Sequence, residues 1–129
     1  EGIFPRHLFK VGERPDYLLQ ITNDAWFGAF SGPYQHLDQA RFRAAEHGLS
    51  LVRVANTGVS TVINPLGQVG DVLPLGEAGI LDQAVPASLS PTVYARTGDL
   101  PIIFILLLGT AGLLVAKRRN TIANSRTTS

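Results

Sequence analysis

The sequence predicts an α/β domain followed by one membrane-spanning helix. Apolar runs of strand length alternate with a stretch of helical periodicity, turn-forming residues punctuate them at short intervals, and one long run near the C-terminus carries no charge. The domain is expected over residues 1–99, the transmembrane helix over 100–116 and a cytoplasmic polar tail over 117–129.

The first strand is Tyr17 to Thr22, a short apolar run bounded by Pro15 and Asp16 before it and by Asn23 and Asp24 after it. A helix is expected from Pro33 to His47. Leu37, Ala40, Ala44 and Gly48, with Phe42, Ala45 and Leu49 beside them, recur at intervals of three and four, and Pro33 suits a first helical turn. Two β-rich runs follow, Ser50 to Ala55 and Val59 to Asn64, separated by the turn residues Asn56, Thr57 and Gly58. Asn64-Pro65-Leu66-Gly67 places proline and glycine where a type I turn favours them, so Gln68 to Leu73 should return as a hairpin. A last strand is expected near Ile80 to Val85.

The run from Leu100 to Ala116 holds no charge over 17 positions, roughly 26 Å of helix against a hydrocarbon core of about 30 Å. Asp99 can cap its start, Pro101 suits its first turn, and Lys117, Arg118 and Arg119 close it as a cytoplasmic end is closed. Its position in the chain excludes a secretory signal. The remaining tail is polar and aperiodic and reads as disordered.

Composition narrows the function. Residues 1–99 carry seven Lys and Arg against ten Asp and Glu, and the basic excess lies in the tail, which excludes a nucleic-acid surface on the domain. There is no cysteine, hence no disulfide, thiolate metal site or cysteine nucleophile within these residues. His7 and His47 lie far apart in sequence and lack metal-ligand spacing, so no metal site is expected. There is also no methionine, and the opening at Glu1 reads as that of a fragment or processed piece.

Several segments carry candidate chemistry. Asn23-Asp24-Ala25-Trp26-Phe27-Gly28 places polar turn formers and two aromatics directly after a buried strand, where α/β sheets usually bind ligands; it reads equally as a structural Asx turn with locally packed aromatics. His36 has no accompanying nucleophile and reads as a helix-start histidine that caps or packs. Arg41, Arg43 and Glu46 read as a solvated face or a local ion pair. Asn56-Thr57-Gly58 is a turn whose polar groups point to one edge of the sheet.

In order along the chain, Asp16-Tyr17-Leu18-Leu19, the Asn23–Gly28 segment, Gly32-Pro33-Tyr34-Gln35-His36, Ala40-Arg41-Phe42-Arg43-Ala44, Asn56-Thr57-Gly58 and Tyr94-Ala95-Arg96-Thr97-Gly98 resemble the C-terminal part of the apolipoprotein N-acyltransferases. The catalytic domain of that family belongs to the nitrilase, or carbon-nitrogen hydrolase, superfamily. The resemblance implies the second half of a nitrilase-like four-layer α-β-β-α sandwich. It implies a bacterial inner-membrane enzyme with a periplasmic catalytic domain, a cytoplasmic C-terminus and no cofactor. Its partners would be a phospholipid acyl donor, a diacylglyceryl-modified apolipoprotein acceptor and the lipid bilayer.

The family triad is a glutamate base, a lysine and a cysteine in a Cys-Tyr-Glu run. Glu1 then corresponds to the residue after Cys-Tyr, a carboxylate neighbouring the nucleophile, and the triad itself lies outside these residues. The piece alone would be inactive and, with sheet edges and apolar faces bare, would fold poorly. Asn23, Trp26, Phe27 and Asn56 would form the substrate-binding wall. Two other readings stay open: a membrane-tethered amidase of the same superfamily, and a non-catalytic single-span binding module.

Overall fold

The computed structural model describes residues 14–28 and 30–127, with side chains through 114 and at 116 and 117. The chain divides into two units, residues 1–96 and 97–129. The first unit holds a four-stranded sheet of β1 (Tyr17–Asn23), β2 (Ser50–Asn56), β3 (Ser60–Ile63) and β4 (Val69–Leu73), in that spatial order. A 17-residue helix, α1 (Ser31–His47), lies between β1 and β2 in sequence.

Strands β1 and β2 are parallel, running in register from Tyr17 opposite Ser50 to Asn23 opposite Asn56. Parallel neighbours need a crossover, and α1 supplies it. The other two pairings are antiparallel hairpins, as the two turn sequences predict. In the second turn the Gly67 N–H donates to the Asn64 carbonyl at 2.9 Å, Gly67 takes a φ of 77°, and the Asn64 carboxamide oxygen accepts from the N–H groups of Leu66 and Gln68.

The alternation of side chains along each strand divides the sheet into two faces. On one face Leu18, Leu51 and Ile63 pack with Leu49 against Ala40 and Ala44 of α1, with Leu37 beside them. The small residues of the helical repeat thus lie in the core, where alanine lets helix and sheet approach closely. Phe42, placed beside that stripe by spacing alone, is exposed. Gly48 closes α1 in the left-handed conformation, its N–H shared between the carbonyls of Ala44 and Ala45. The Arg14 guanidinium then donates to the carbonyls of His47, Gly48 and Leu89, tying the end of α1 to the segment that follows the sheet.

Two expectations are corrected. Residues 80–85 form no strand; they run irregularly, with Ile80 and Val85 exposed. Four of these six residues are apolar, but the run is broken by Asp82 and Gln83, and no strand among the described residues pairs with it. In the second unit, α3 (Leu100–Thr127) does not end at Ala116 but continues through the basic triplet into the segment read as disordered. Residues 117–127 contain neither proline nor glycine, so nothing interrupts the helical hydrogen-bond ladder.

A short helix, α2 (Val93–Thr97), precedes α3. The Ile103 N–H donates to the Asp99 carbonyl at the start of α3. Side chains at 100–114 are uncharged and exposed. That described stretch covers about 22 Å at 1.5 Å per residue, against about 30 Å of hydrocarbon. Among the described residues no helix is long and apolar enough to cross a membrane.

Candidate active-site wall

The parallel pair ends with Asn23 and Asn56 side by side, at the carboxyl ends of the strands where open α/β sheets place ligands. The Asn56 amide reaches the Asn23 side-chain oxygen at 3.5 Å, and the same oxygen accepts from the Ala25 N–H at 3.1 Å. This is the Asx turn that the sequence allowed. It starts a 3-10 turn over Ala25–Phe27 that ends at Gly28, whose φ is 71°. Trp26 and Phe27 are exposed there, Trp26 by 86%.

Beneath this loop lies a charged cluster. Asp24 and Arg53 are fully buried, joined by a 2.5 Å hydrogen bond from Arg53 Nη2 to Asp24 Oδ2. Arg53 also donates through Nη1 to Gln20 Oε1 at 2.6 Å and through Nε to the Val59 carbonyl at 3.2 Å. Burial lowers the Arg53 pKa from its ordinary value, and the Asp24 carboxylate opposes that shift. The second Asp24 oxygen lies 2.8 Å from His36 Nδ1. His36 Nε2 lies 3.3 Å from the Gln20 side-chain nitrogen, and its ring stacks at a tilt on Phe27 with centroids 5.3 Å apart. With Nδ1 protonated towards Asp24, Nε2 accepts from Gln20, and every polar atom of the ring has a partner.

The turn Asn56-Thr57-Gly58 is shaped around this cluster. A Cβ at position 58 would collide with the Asp24 carboxylate and the Ala55 side chain, and Thr57 takes a φ of 60° to bring the chain round. Gly32 has the same role on the other side, since a Cβ there would lie 2.6 Å from the Phe27 Cβ. An open hollow of about 440 Å³ adjoins the cluster. Asn23, Trp26, Phe27 and His36 line it; Asn56 does not, although its amide touches Asn23.

The structure therefore brings four sequence-predicted residues, Asn23, Trp26, Phe27 and Asn56, to one edge of the sheet. Glu1 lies outside the described residues. His36 packs, as expected, but its partner is the buried Asp24. Arg53 was not foreseen as part of the site, and its signal was available: one arginine within Ser50–Ala55, on the strand face of Leu51, demands a buried counter-ion. Arg41 pairs with Asp38 and Arg43 with Glu46, each at 2.8 Å, as local ion pairs. Among the described residues no group of His, Asp and Glu could hold a metal ion.

No family profile matches the chain. Three apolipoprotein N-acyltransferases are similar to it: that of Rhodopseudomonas palustris, 52% identical over 118 residues, that of Bradyrhizobium diazoefficiens, 52% identical over 119, and that of Rickettsia bellii, 45% identical over 107. These matches cover 92%, 92% and 82% of this chain but only 22%, 22% and 21% of the relatives. The chain thus spans about a fifth of the length of the curated relatives it matches. On this likeness the chain belongs to the apolipoprotein N-acyltransferase family.

Proposed function

We propose that this chain is the C-terminal part of a membrane enzyme that moves a fatty acyl chain from a phospholipid to the N-terminal diacylglyceryl-cysteine of apolipoproteins. The observation that carries this is the likeness to acyltransferases of that name, at 52% identity over 92% of the chain. In the first step a cysteine thiolate attacks the phospholipid ester carbonyl, and the departing alkoxide takes up a proton to leave a lysophospholipid. In the second step the α-amine of the acceptor attacks the thioester, gives up a proton and releases the thiol. The nucleophile, the glutamate base and the lysine are assigned to the rest of the enzyme, with Glu1 beside the cysteine.

This segment contributes a wall of that site. Asn23 and Asn56 offer amide groups at the sheet edge, and Trp26 and Phe27 offer apolar surface suited to acyl chains. The exposed reverse face of β1 and β2 supports a nitrilase-like four-layer α-β-β-α sandwich, in which a second sheet would cover Leu19, Ile21 and Val54. The uncharged run 100–116 and the basic residues after it support a last transmembrane helix, with the domain periplasmic, the tail cytoplasmic and the protein in the bacterial inner membrane.

The test is to purify the complete protein in detergent and supply phospholipid with a diacylglyceryl-cysteine peptide. The reading predicts an acylated enzyme in mass spectra, lost on hydroxylamine treatment, and a triacylated peptide. A protein that forms neither contradicts it.

A further inference from the structure

We propose that the buried chain Arg53–Asp24–His36 is a positioning device for the acyl-transfer site, holding the Asn23–Phe27 loop through Asp24. The inference rests on the acyltransferase reading given above. It begins from how completely Asp24 is fixed. Its N–H donates to the Asn56 carbonyl at 3.1 Å and its carbonyl accepts from the Phe27 N–H at 3.0 Å, so its backbone ties the end of β2 to the loop. Its carboxylate draws donors from three elements: Oδ2 accepts from Arg53 of β2, and Oδ1 accepts from His36 of α1 at 2.8 Å and from the Thr22 hydroxyl of β1 at 3.5 Å. One side chain therefore sets the relation of both parallel strand ends, the helix start and the aromatic turn.

Burial makes this arrangement costly unless every group is paired, and every group is. The guanidinium meets Asp24, Gln20 and the Val59 carbonyl, while the imidazole meets Asp24 and Gln20. A leucine at 24 would fill the same space without directing anything. The ionic chain adds direction: the two carboxylate oxygens hold Asp24 against β2 and α1 at once, and with it the backbone between Asn23 and Phe27. His36 is the link nearest the hollow. It lines that hollow, stacks on Phe27 and is the one member of the chain partly open to solvent, so a ligand against Phe27 bears on Asp24 through a single ring.

Positioning differs from mere support in its kinetic signature. A residue that only supports the fold changes how much enzyme survives; one that orients reacting groups changes kcat for each folded molecule. In the complete enzyme, His36→Phe keeps the ring stack but removes the donor to Asp24, and we expect kcat to fall about 30-fold with KM for the phospholipid within about twofold. His36→Asn restores a donor near the place of Nδ1 and should recover kcat to within about threefold of wild type.

A second variant separates orientation from stability. Asp24→Leu with Arg53→Met replaces the ion pair by apolar side chains, an exchange that buried pairs often tolerate. It should fold yet lose at least about 30-fold in kcat. Equal kcat for wild type, His36→Phe and His36→Asn per folded molecule would overturn the positioning role, as would a folded double variant with wild-type kcat. If the double variant does not fold, the comparison of His36→Phe with His36→Asn decides alone. A wild-type enzyme that transfers no acyl chain overturns the acyltransferase reading and this inference together; an active wild type with unaffected variants overturns only the inference.

Discussion

On the face of the sheet that α1 covers, Leu18, Leu51 and Ile63 retain 8%, 3% and 0% of their exposure; on the reverse face Leu19, Ile21 and Val54 retain 59%, 74% and 49%. Along β1 and β2 the two sets alternate and have the same chemistry, whereas on β3 the reverse-face Val62 is buried as well. Composition therefore does not decide which face is covered; the presence of a packing partner does. Strands of parallel sheets read as continuous apolar runs because both faces are buried in the finished fold. The difference between the faces teaches that the reverse side of β1 and β2 lacks a packing layer among the described residues, and it is this surface that the proposed second sheet would cover.

The largest effect expected on this comparison comes from the covered side. Asp24→Ala strands the Arg53 guanidinium in the core without its counter-ion, and should destabilise the complete protein by about 3–5 kcal/mol in urea unfolding. A loss below about 1 kcal/mol would show that solvent reaches Arg53. Next comes the paired test of the two faces. Leu51→Ala should cost about 2–5 kcal/mol. Ile21→Ala, on the reverse face, should cost about 2 kcal/mol or more in the complete protein if a second sheet covers it, and within about 0.5 kcal/mol if the face is bare.

A smaller effect is expected at the end of α1. His47 is buried, and its pKa lies below the ordinary 6.5 because of burial first and then the positive charges of Arg43 and Arg14. The unfolded chain thus binds a proton more readily than the folded one. Stability contributed by neutral His47 is whole above pH 6.5 and falls as the pH drops from there through the lower folded value. Melting temperatures of wild type and His47→Gln, compared across that window, should converge as the pH falls. Parallel curves would remove His47 as the source.

Much of this architecture is legible in the residues, and its gaps have physical causes. The β1, β2 and α1 segments are plain because apolar period and turn chemistry agree on them. The turn at Asn64–Gly67 is readable for the same reason, since each side chain has a defined backbone task. The segment 80–85 misleads because apolar content alone does not supply a neighbouring strand. The tail after Arg119 misleads in the opposite sense: polarity suggests disorder, whereas a helix already under way needs only the absence of a breaker.

That Asn23, Trp26, Phe27 and Asn56 gather at one edge of the sheet is readable from their place after strands. The link between Asp24, His36 and Arg53 is not, because it joins positions 12 and 29 residues from Asp24 and depends on which strand face each residue takes. Register is what brings them together: Gln20 stands opposite Arg53, and Asn23 opposite Asn56. A one-residue slip would turn Arg53 to the reverse face and undo the cluster.

Trp26 tests most directly whether the loop at the end of β1 is a wall of the acyl-transfer site. Its side chain is 86% exposed, so little of the fold rests on it. In the complete enzyme, Trp26→Ala should leave the melting temperature within about 1 °C of wild type. The rate of triacylated-peptide formation per folded molecule should fall about tenfold or more, through lost contact with the acyl chain. An unchanged rate with an unchanged melting temperature would take the loop out of the active site and contradict the account.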